Sequence, residues 1–286
     1  MNQSFIRRLF HGRSLKEETV AAFGGAGTLF LIQPLCDLWF FAWLGPLQWL
    51  WLIMRKTTHL PPRFWQMLWC AGFVHWLATS HWLRLPHPAT SLGWVFLSAY
   101  LAVYLPVFVW SARLLVRRWR WPLLAAAPIS WMACEQLRGS LFGGFTFAML
   151  GHPQWRWTAL LQIADIAGAI GLSGIVMLVA AALFQLMRSW RTKETVREVV
   201  LTTSILGVCI FYGYWRLATT PDPLVAPLKA LLVQGSIDTE LKHDPNAFQE
   251  VTQQYDKLTR SGLLESSSLP DLILWPETMW RIGLLE

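Results

Sequence analysis

The chain has 286 residues, of which 54% are hydrophobic, only 14% are charged and 19 are tryptophan. Soluble domains carry roughly 25% charged residues, so this composition excludes an ordinary soluble protein and points to the membrane. The net charge of +7 comes without a nucleic-acid motif and sits in basic clusters between apolar runs, which excludes nucleic-acid binding as its purpose.

Met1 to Glu18 carries Arg7, Arg8, Arg13 and Lys16 ahead of the first apolar stretch. Ala21 to Ala26 has the small residues of a signal-peptide cleavage site, but apolar runs continue far beyond it, so a retained helix over about Thr19 to Ile32 is expected. At roughly 20 residues per crossing, further spans are predicted over Leu35 to Met54, Phe64 to Leu83, Leu92 to Val116, Trp121 to Leu137, Thr158 to Met187 and Val199 to Leu217. That makes a membrane α-helical bundle of about seven transmembrane helices. The first and fifth are short for a full crossing and the sixth is long, which implies tilt or re-entry.

Charge placement orients the bundle. With the amino terminus in the cytoplasm, inner loops collect Arg55, Lys56 and Arg63, then Arg113, Arg117, Arg118 and Arg120, then Arg188, Arg191, Lys193 and Arg197, while the opposite loops hold Arg84, Arg138 and Arg156. This bias follows the positive-inside rule, and an odd number of spans then delivers the carboxyl-terminal segment outside the cytoplasm. Trp39, Trp43, Trp49, Trp51, Trp65, Trp69, Trp119 and Trp121 fall near predicted span ends and read as interfacial anchors. Cys36, Cys70, Cys134 and Cys209 lack metal-ligand spacing and read as small buried apolar side chains; no metal or cofactor is implied.

Polar residues placed against the apolar trend mark a candidate site. Glu135 and Arg138 lie three apart near a span end, where they can meet on one helical face; the alternatives are a self-satisfied pair or a polar floor for a lipid headgroup. Gly144-Phe145 and Gly151-His152-Pro153-Gln154 follow closely. Ser80-His81-Trp82-Leu83 sits between the third and fourth spans, where Trp82 reads as a surface anchor or a substrate contact and His81 as an anchor or a proton shuttle.

The chain changes character near residue 218. Residues 1–218 form the transmembrane domain, 219–227 the proline-containing linker, and 228–286 an ordinary soluble mixture. There, strand candidates Leu228 to Gly235 and Leu272 to Trp275 flank a helix over Pro245 to Gly262, one β-α-β unit, with the Leu272 to Trp275 strand expected to be buried. Glu277 follows Pro276, where the second strand breaks, a position suited to a catalytic carboxylate or to a turn-capping one.

Val233-Gln234-Gly235, Leu241-Lys242-His243-Asp244-Pro245 and Trp275-Pro276-Glu277-Thr278 resemble the opening of the carbon–nitrogen hydrolase (nitrilase-like) domain of bacterial apolipoprotein N-acyltransferases. The upstream blocks resemble that family's Glu-Leu-Arg-Gly, Gly-Phe-Pro-Trp and Gly-Tyr-Ser-Gln motifs, and Trp82 its Asn-Trp or Tyr-Trp element. The match departs where Gln136 is inserted between Glu135 and Leu137, where Thr146-Phe147 replaces Pro-Trp, and where His152-Pro153 replaces Tyr-Ser.

The resemblance implies an α/β nitrilase-like αββα sandwich begun by the β-α-β unit, in the bacterial inner membrane with this domain periplasmic. It implies transfer of an acyl chain from a phospholipid to a cysteine thiol, then to the N-terminal amine of a diacylglyceryl-cysteine lipoprotein, through a Glu-Lys-Cys triad. A carboxylate is needed to ionise the thiol and an ammonium to hold the oxyanion. Glu277 matches the general base, Trp275 and Met279-Trp280 are expected to desolvate it, and Trp82, Glu135, Arg138, Gly144, Phe145 and Gln154 become candidate substrate-binding residues.

Lys229, Lys242 and Lys257 come too early for the triad lysine, and no cysteine follows Cys209. The chain alone is therefore expected to be inactive, as a fragment, a split form completed by a second polypeptide, or a relic, the first two being favoured. Two other functions compete: a non-catalytic membrane scaffold or lipid-binding partner, and a membrane-anchored nitrilase-type amidase.

Overall fold

A computed structural model describes residues 15–57, 60–190, 192–219, 228–237, 241 and 247–276. The chain divides into two compact units, Met1–Thr220 and Pro221–Glu286. In the first, the helices are α1 (Leu15–Leu31), α2 (Pro46–Met54), α3 (Pro62–Thr79), α4 (Thr90–Leu101), α5 (Tyr104–Arg117), α6 (Leu123–Ser140), α7 (Thr158–Leu161), α8 (Ala164–Ser189) and α9 (Lys193–Ala218). Among the described residues, three stretches are long and apolar enough to cross a membrane: Thr90–Arg117, Ala164–Ser189 and Lys193–Ala218; Trp39–Met54 is a shorter apolar one.

Several predicted spans are broken at residues with identifiable backbone chemistry. The stretch Leu35 to Met54 is a turn, a 3-10 segment Trp39–Trp43 and then α2, because Pro34 and Pro46 remove backbone donors and Asp37 takes φ 53°. The stretch Leu92 to Val116 divides at Ala102 and Val103, where Pro106 cannot donate to the carbonyl four residues earlier. The long sixth span is α7 followed by α8, and α8 is itself interrupted at Gly168 (φ 64°, ψ −176°), a conformation that favours glycine. The third ends at Thr79 and passes into a 3-10 turn, His81–Arg84.

Helix α6 packs against α5 and α8, while α1 packs against α2 and α3. At the centre the rings of Trp49 and Trp131 stack at 5.7 Å, and Phe108 meets Trp131 edge-on at 5.0 Å. Trp49 is 3% exposed and its Nε1 donates to the Ala22 carbonyl at 3.1 Å, so it is a core residue and not the interfacial anchor its position in the sequence suggests. Trp119 and Trp121 are exposed. Cys134 and Cys209 are buried, but Cys36 and Cys70 are exposed, which corrects the uniform reading of the cysteines as buried.

A buried arginine joins α5 to the end of α2. Arg113 Nη1 donates to the carbonyls of Leu52 (2.7 Å), Ile53 (3.0 Å) and Arg55 (3.3 Å), and Nη2 donates to that of Thr57 (2.7 Å). These include carbonyls a helix C-terminus leaves without intrahelical partners, so one guanidinium both caps α2 and offsets its own burial. Arg55 itself forms an ion pair with Glu18 on α1.

In the second unit, strands β1 (Ala230–Leu232) and β2 (Leu272–Leu274) pair in parallel, Ala230 opposite Leu272 and Leu232 opposite Leu274, with α10 (Phe248–Glu265) between them in sequence. Val251 and Tyr255 of α10 are buried against Val233, with Leu231 and Trp275 packed alongside. Tyr255 Oη accepts from the Gly235 amide at 3.2 Å, and Trp275 Nε1 donates to Thr259 Oγ1 at 3.1 Å. The strands are shorter than predicted, and the expected burial of the second is not met: Leu272, Ile273 and Leu274 are all exposed, as is Leu232 (72%) on the first. Among the described residues, a single helix covers one side of a two-stranded ladder and leaves the other open.

Arg113→Met should lower the stability of the detergent-solubilised chain by about 3 kcal/mol or more, because four carbonyls lose a charged donor. Arg113→Lys should recover only part of that loss, since an ammonium lacks the planar fork. Equal stability of all three proteins in a thermal titration would refute the capping role.

Candidate functional site

The site forms where α6 ends. Glu135 is 3% exposed and Arg138 is 5% exposed, and both line a cavity whose wall also includes Gln33, His75, Trp76 and Tyr104. Glu135 is fixed by local and distant donors: its Oε1 accepts from Trp131 Nε1, one turn earlier on the same helix, and from the Leu150 amide, each at 2.8 Å. Oε2 is buried without a hydrogen bond of ordinary geometry, while the Ser173 hydroxyl of α8 interacts with the carboxylate.

Arg138 behaves differently. Its guanidinium lies 4.9 Å from the Trp76 ring centroid, a cation–π contact with α3. The three-residue spacing suggested a direct ion pair with Glu135, but among the described residues none forms. The reason is competition: Glu135 is claimed by Trp131 and Leu150, and Arg138 by an aromatic face. The two still feel one another through the low-dielectric interior.

Loop 141–157 closes one side of the cavity. It begins with Phe142, Gly143 and Gly144, all at positive φ, and Ala148 is also left-handed (φ 55°). Gly144 (φ 79°) has no substitute, since a Cβ there would collide with the Gly139 carbonyl. The Phe145 amide then donates to the Arg138 carbonyl at 2.8 Å, and the Gly151 amide to Ser173 Oγ at 2.8 Å.

Three residues predicted for substrate binding fall on one line of rings. Trp82, 44% exposed, meets Phe147 at 5.7 Å; Phe147 meets Phe145 at 6.0 Å; Phe145 meets Trp76 at 5.9 Å; and Trp76 carries Arg138. Gln154 does not join them. It is fully buried, accepts from Trp43 Nε1 at 3.1 Å and donates to the Trp39 carbonyl at 3.4 Å, anchoring the loop to the 3-10 segment. Half-buried His81 uses Nδ1–H on the Ala78 carbonyl, 3.1 Å away.

Sequence reading passed over His75, Trp76 and Gln33. His75 Nδ1–H donates to the Ala26 carbonyl at 3.0 Å, binding α3 to α1. The available signal was His75-Trp76 following Gly72 inside an apolar helix, with Gly72 lying close to the Ala102 backbone. A second cavity shares Ile32, Gln33 and Ala148 with the first and reaches Asp37 and His152. Asp37 is ion-paired with Arg156 there. His152, outside the helices, is pushed below the ordinary imidazole range by partial loss of water and then by the Arg138 charge, which favours its neutral form at pH 7.

Glu277, Thr278 and the Met279-Trp280 pair, linker residues 220–227 and Lys242-His243-Asp244-Pro245 lie outside the described residues.

Apolar helices of membrane-crossing length around a buried carboxylate and guanidinium define the first unit as an integral membrane helical bundle with an internal polar site. A family model described as the apolipoprotein N-acyltransferase N-terminal domain matches residues 25–183, more than half of the chain, and takes in both Glu135 and Arg138. An apolipoprotein N-acyltransferase of Geobacter metallireducens is 35% identical over 214 residues, covering 73% of this chain and 40% of the relative. That of Azotobacter vinelandii is 32% identical over 88% of this chain and 49% of the relative, and that of Vibrio vulnificus 29% identical over 94% and 51%. The chain therefore belongs to the apolipoprotein N-acyltransferase family, and it spans about two fifths to one half of the length of these curated relatives.

Glu135→Ala should release the loop. The Leu150 amide loses its buried acceptor, worth about 1–3 kcal/mol, so its hydrogen exchange should accelerate roughly ten- to a hundredfold. Unchanged protection at Leu150 and Gly151 would show that Glu135 does not hold the loop.

Proposed function

We propose that this chain provides the membrane domain and the start of the catalytic domain of an enzyme that moves a phospholipid acyl chain, through a thioacyl intermediate, to the N-terminal amine of diacylglyceryl-cysteine in lipoproteins. The observation that carries this reading is the family match over residues 25–183, which spans the buried Glu135 and Arg138 cavity. Relatives that share this region are named apolipoprotein N-acyltransferases. A cavity with apolar walls and few polar groups suits a lipid better than a soluble amide, which favours acyl transfer over an amidase.

In this reading, about seven membrane passes in the bacterial inner membrane carry the second unit to the periplasmic side, beyond the linker at 219–227. The paired strands and α10 begin a nitrilase-like sandwich; the exposed strand residues support this, since such a sheet is stable only when both faces are covered. Glu277 serves as general base, taking the thiol proton in the first step and the amine proton in the second. The thiol and lysine come from outside these 286 residues, in continuation or on a second polypeptide, so the chain by itself does not turn over. Trp82, Phe145 and Arg138 approach the lipid, while Glu135, Gly144 and Gln154 shape the loop beside it.

A full-length protein bearing this segment should restore lipoprotein N-acylation in a strain depleted of its own enzyme, and Glu277→Gln should abolish that restoration by removing the base. Full rescue by the Gln variant would remove Glu277 from the mechanism. Single cysteines placed in residues 220–227 of a cysteine-free chain should react with a membrane-impermeant maleimide in intact spheroplasts. Labelling only after lysis would invert the proposed topology.

A further inference from the structure

Among the described residues, the Arg138 guanidinium makes no hydrogen bond and no ion pair, although the side chain is 5% exposed and lines the cavity. A guanidinium carries five N–H donors and no acceptor, and leaving such a charge in an apolar interior without acceptors is costly. The contrast with Arg113 is internal to the same bundle, since there every described contact is to a carbonyl oxygen. The Trp76 face offsets part of the Arg138 charge but accepts none of its in-plane N–H groups. Glu135, the nearest acid in sequence, has Oε1 committed to Trp131 and Leu150.

We infer that Arg138 is the receptor for the phosphodiester of a membrane phospholipid, and that Glu135 is a positioning residue holding the cavity wall. A phosphate presents two oxygens at the spacing of the guanidinium fork, so it satisfies N–H groups that the fold leaves unmet. Leu29, Ile32, Leu105 and Leu150 give the cavity apolar sides, and its volume of about 60 Å³ leaves room for little more than the phosphate group itself. Phosphate is thus read by Arg138, with the rest of the lipid outside the cavity. The inference rests on the acyl-transfer reading for the class of lipid, and assigns to one side chain the headgroup atom that it grips.

The test is native mass spectrometry of the detergent-purified chain with dioleoylphosphatidylethanolamine, which has no net charge to attract a basic surface, against dioleoylglycerol, which lacks the phosphate. Wild type should retain the phospholipid at least about tenfold better, and Arg138→Met should bring the ratio close to one. Equal retention of the two lipids by wild type overturns the inference without any variant, as does an Arg138→Met protein that folds and keeps the full ratio. Glu135→Gln, which keeps an acceptor for Leu150, should preserve the ratio. Displacement of the phospholipid by millimolar inorganic phosphate would show a free-anion site and overturn the lipid assignment. Because the readout is retention and not turnover, loss of discrimination in a protein that supports acylation sinks this inference alone. Discrimination retained while the full-length protein bearing this segment fails to restore acylation upholds it and refutes the enzyme's proposed role.

Discussion

A positive charge taken out of water inside an apolar bundle must be met by something, and besides the ion-paired Arg55 the first unit buries Arg113 and Arg138. Both Nη groups of Arg113 are met by carbonyls at and just past the end of α2. Two deficits cancel, and the result is a rigid joint between α2 and α5. Arg138, among the described residues, is met by an aromatic face, which steadies the cation beside the cavity that it lines. The same side chain is structural in one place and left available in the other, and the difference lies in which acceptors the backbone brings near.

Keeping Arg138 available requires that Glu135 be occupied elsewhere. Trp131 holds the carboxylate from within α6, and the Leu150 amide holds it from the loop. Trp131 in turn is wedged between Trp49 and Phe108, so the position of the acid follows from the aromatic core. The loop is then secured at further points, by Ser173 on Gly151 and by Gln154 between Trp39 and Trp43. Left-handed residues at 142–144 and 148 allow it to double back tightly enough to reach them. A row of rings from Trp82 to Trp76 connects the surface turn after α3 to the buried cation.

The second unit is thinner. One amphipathic helix covers a parallel pair of strands through Val251 and Tyr255, and the remaining strand faces stay exposed. Parallel sheets are stable when layered on both sides, so this is an arrangement whose stability depends on further surface being brought to it.

By itself the sequence determined the membrane character, the existence of most helices, the change of composition near residue 218 and the polar block from Glu135 to Gln154, because hydrophobic runs and isolated charges are local properties. It misjudged where runs break, since Pro106 and Gly168 interrupt helices without interrupting hydropathy. The tertiary structure decided what spacing cannot. It separated Glu135 from Arg138, turned Gln154 inward, moved Trp49 from the expected interface to the core and brought Trp76 from another helix beneath the cation. Each outcome is a competition for partners between residues distant in the chain, and a hydrogen bond from Leu150 or a ring from α3 exists only once the helices have packed.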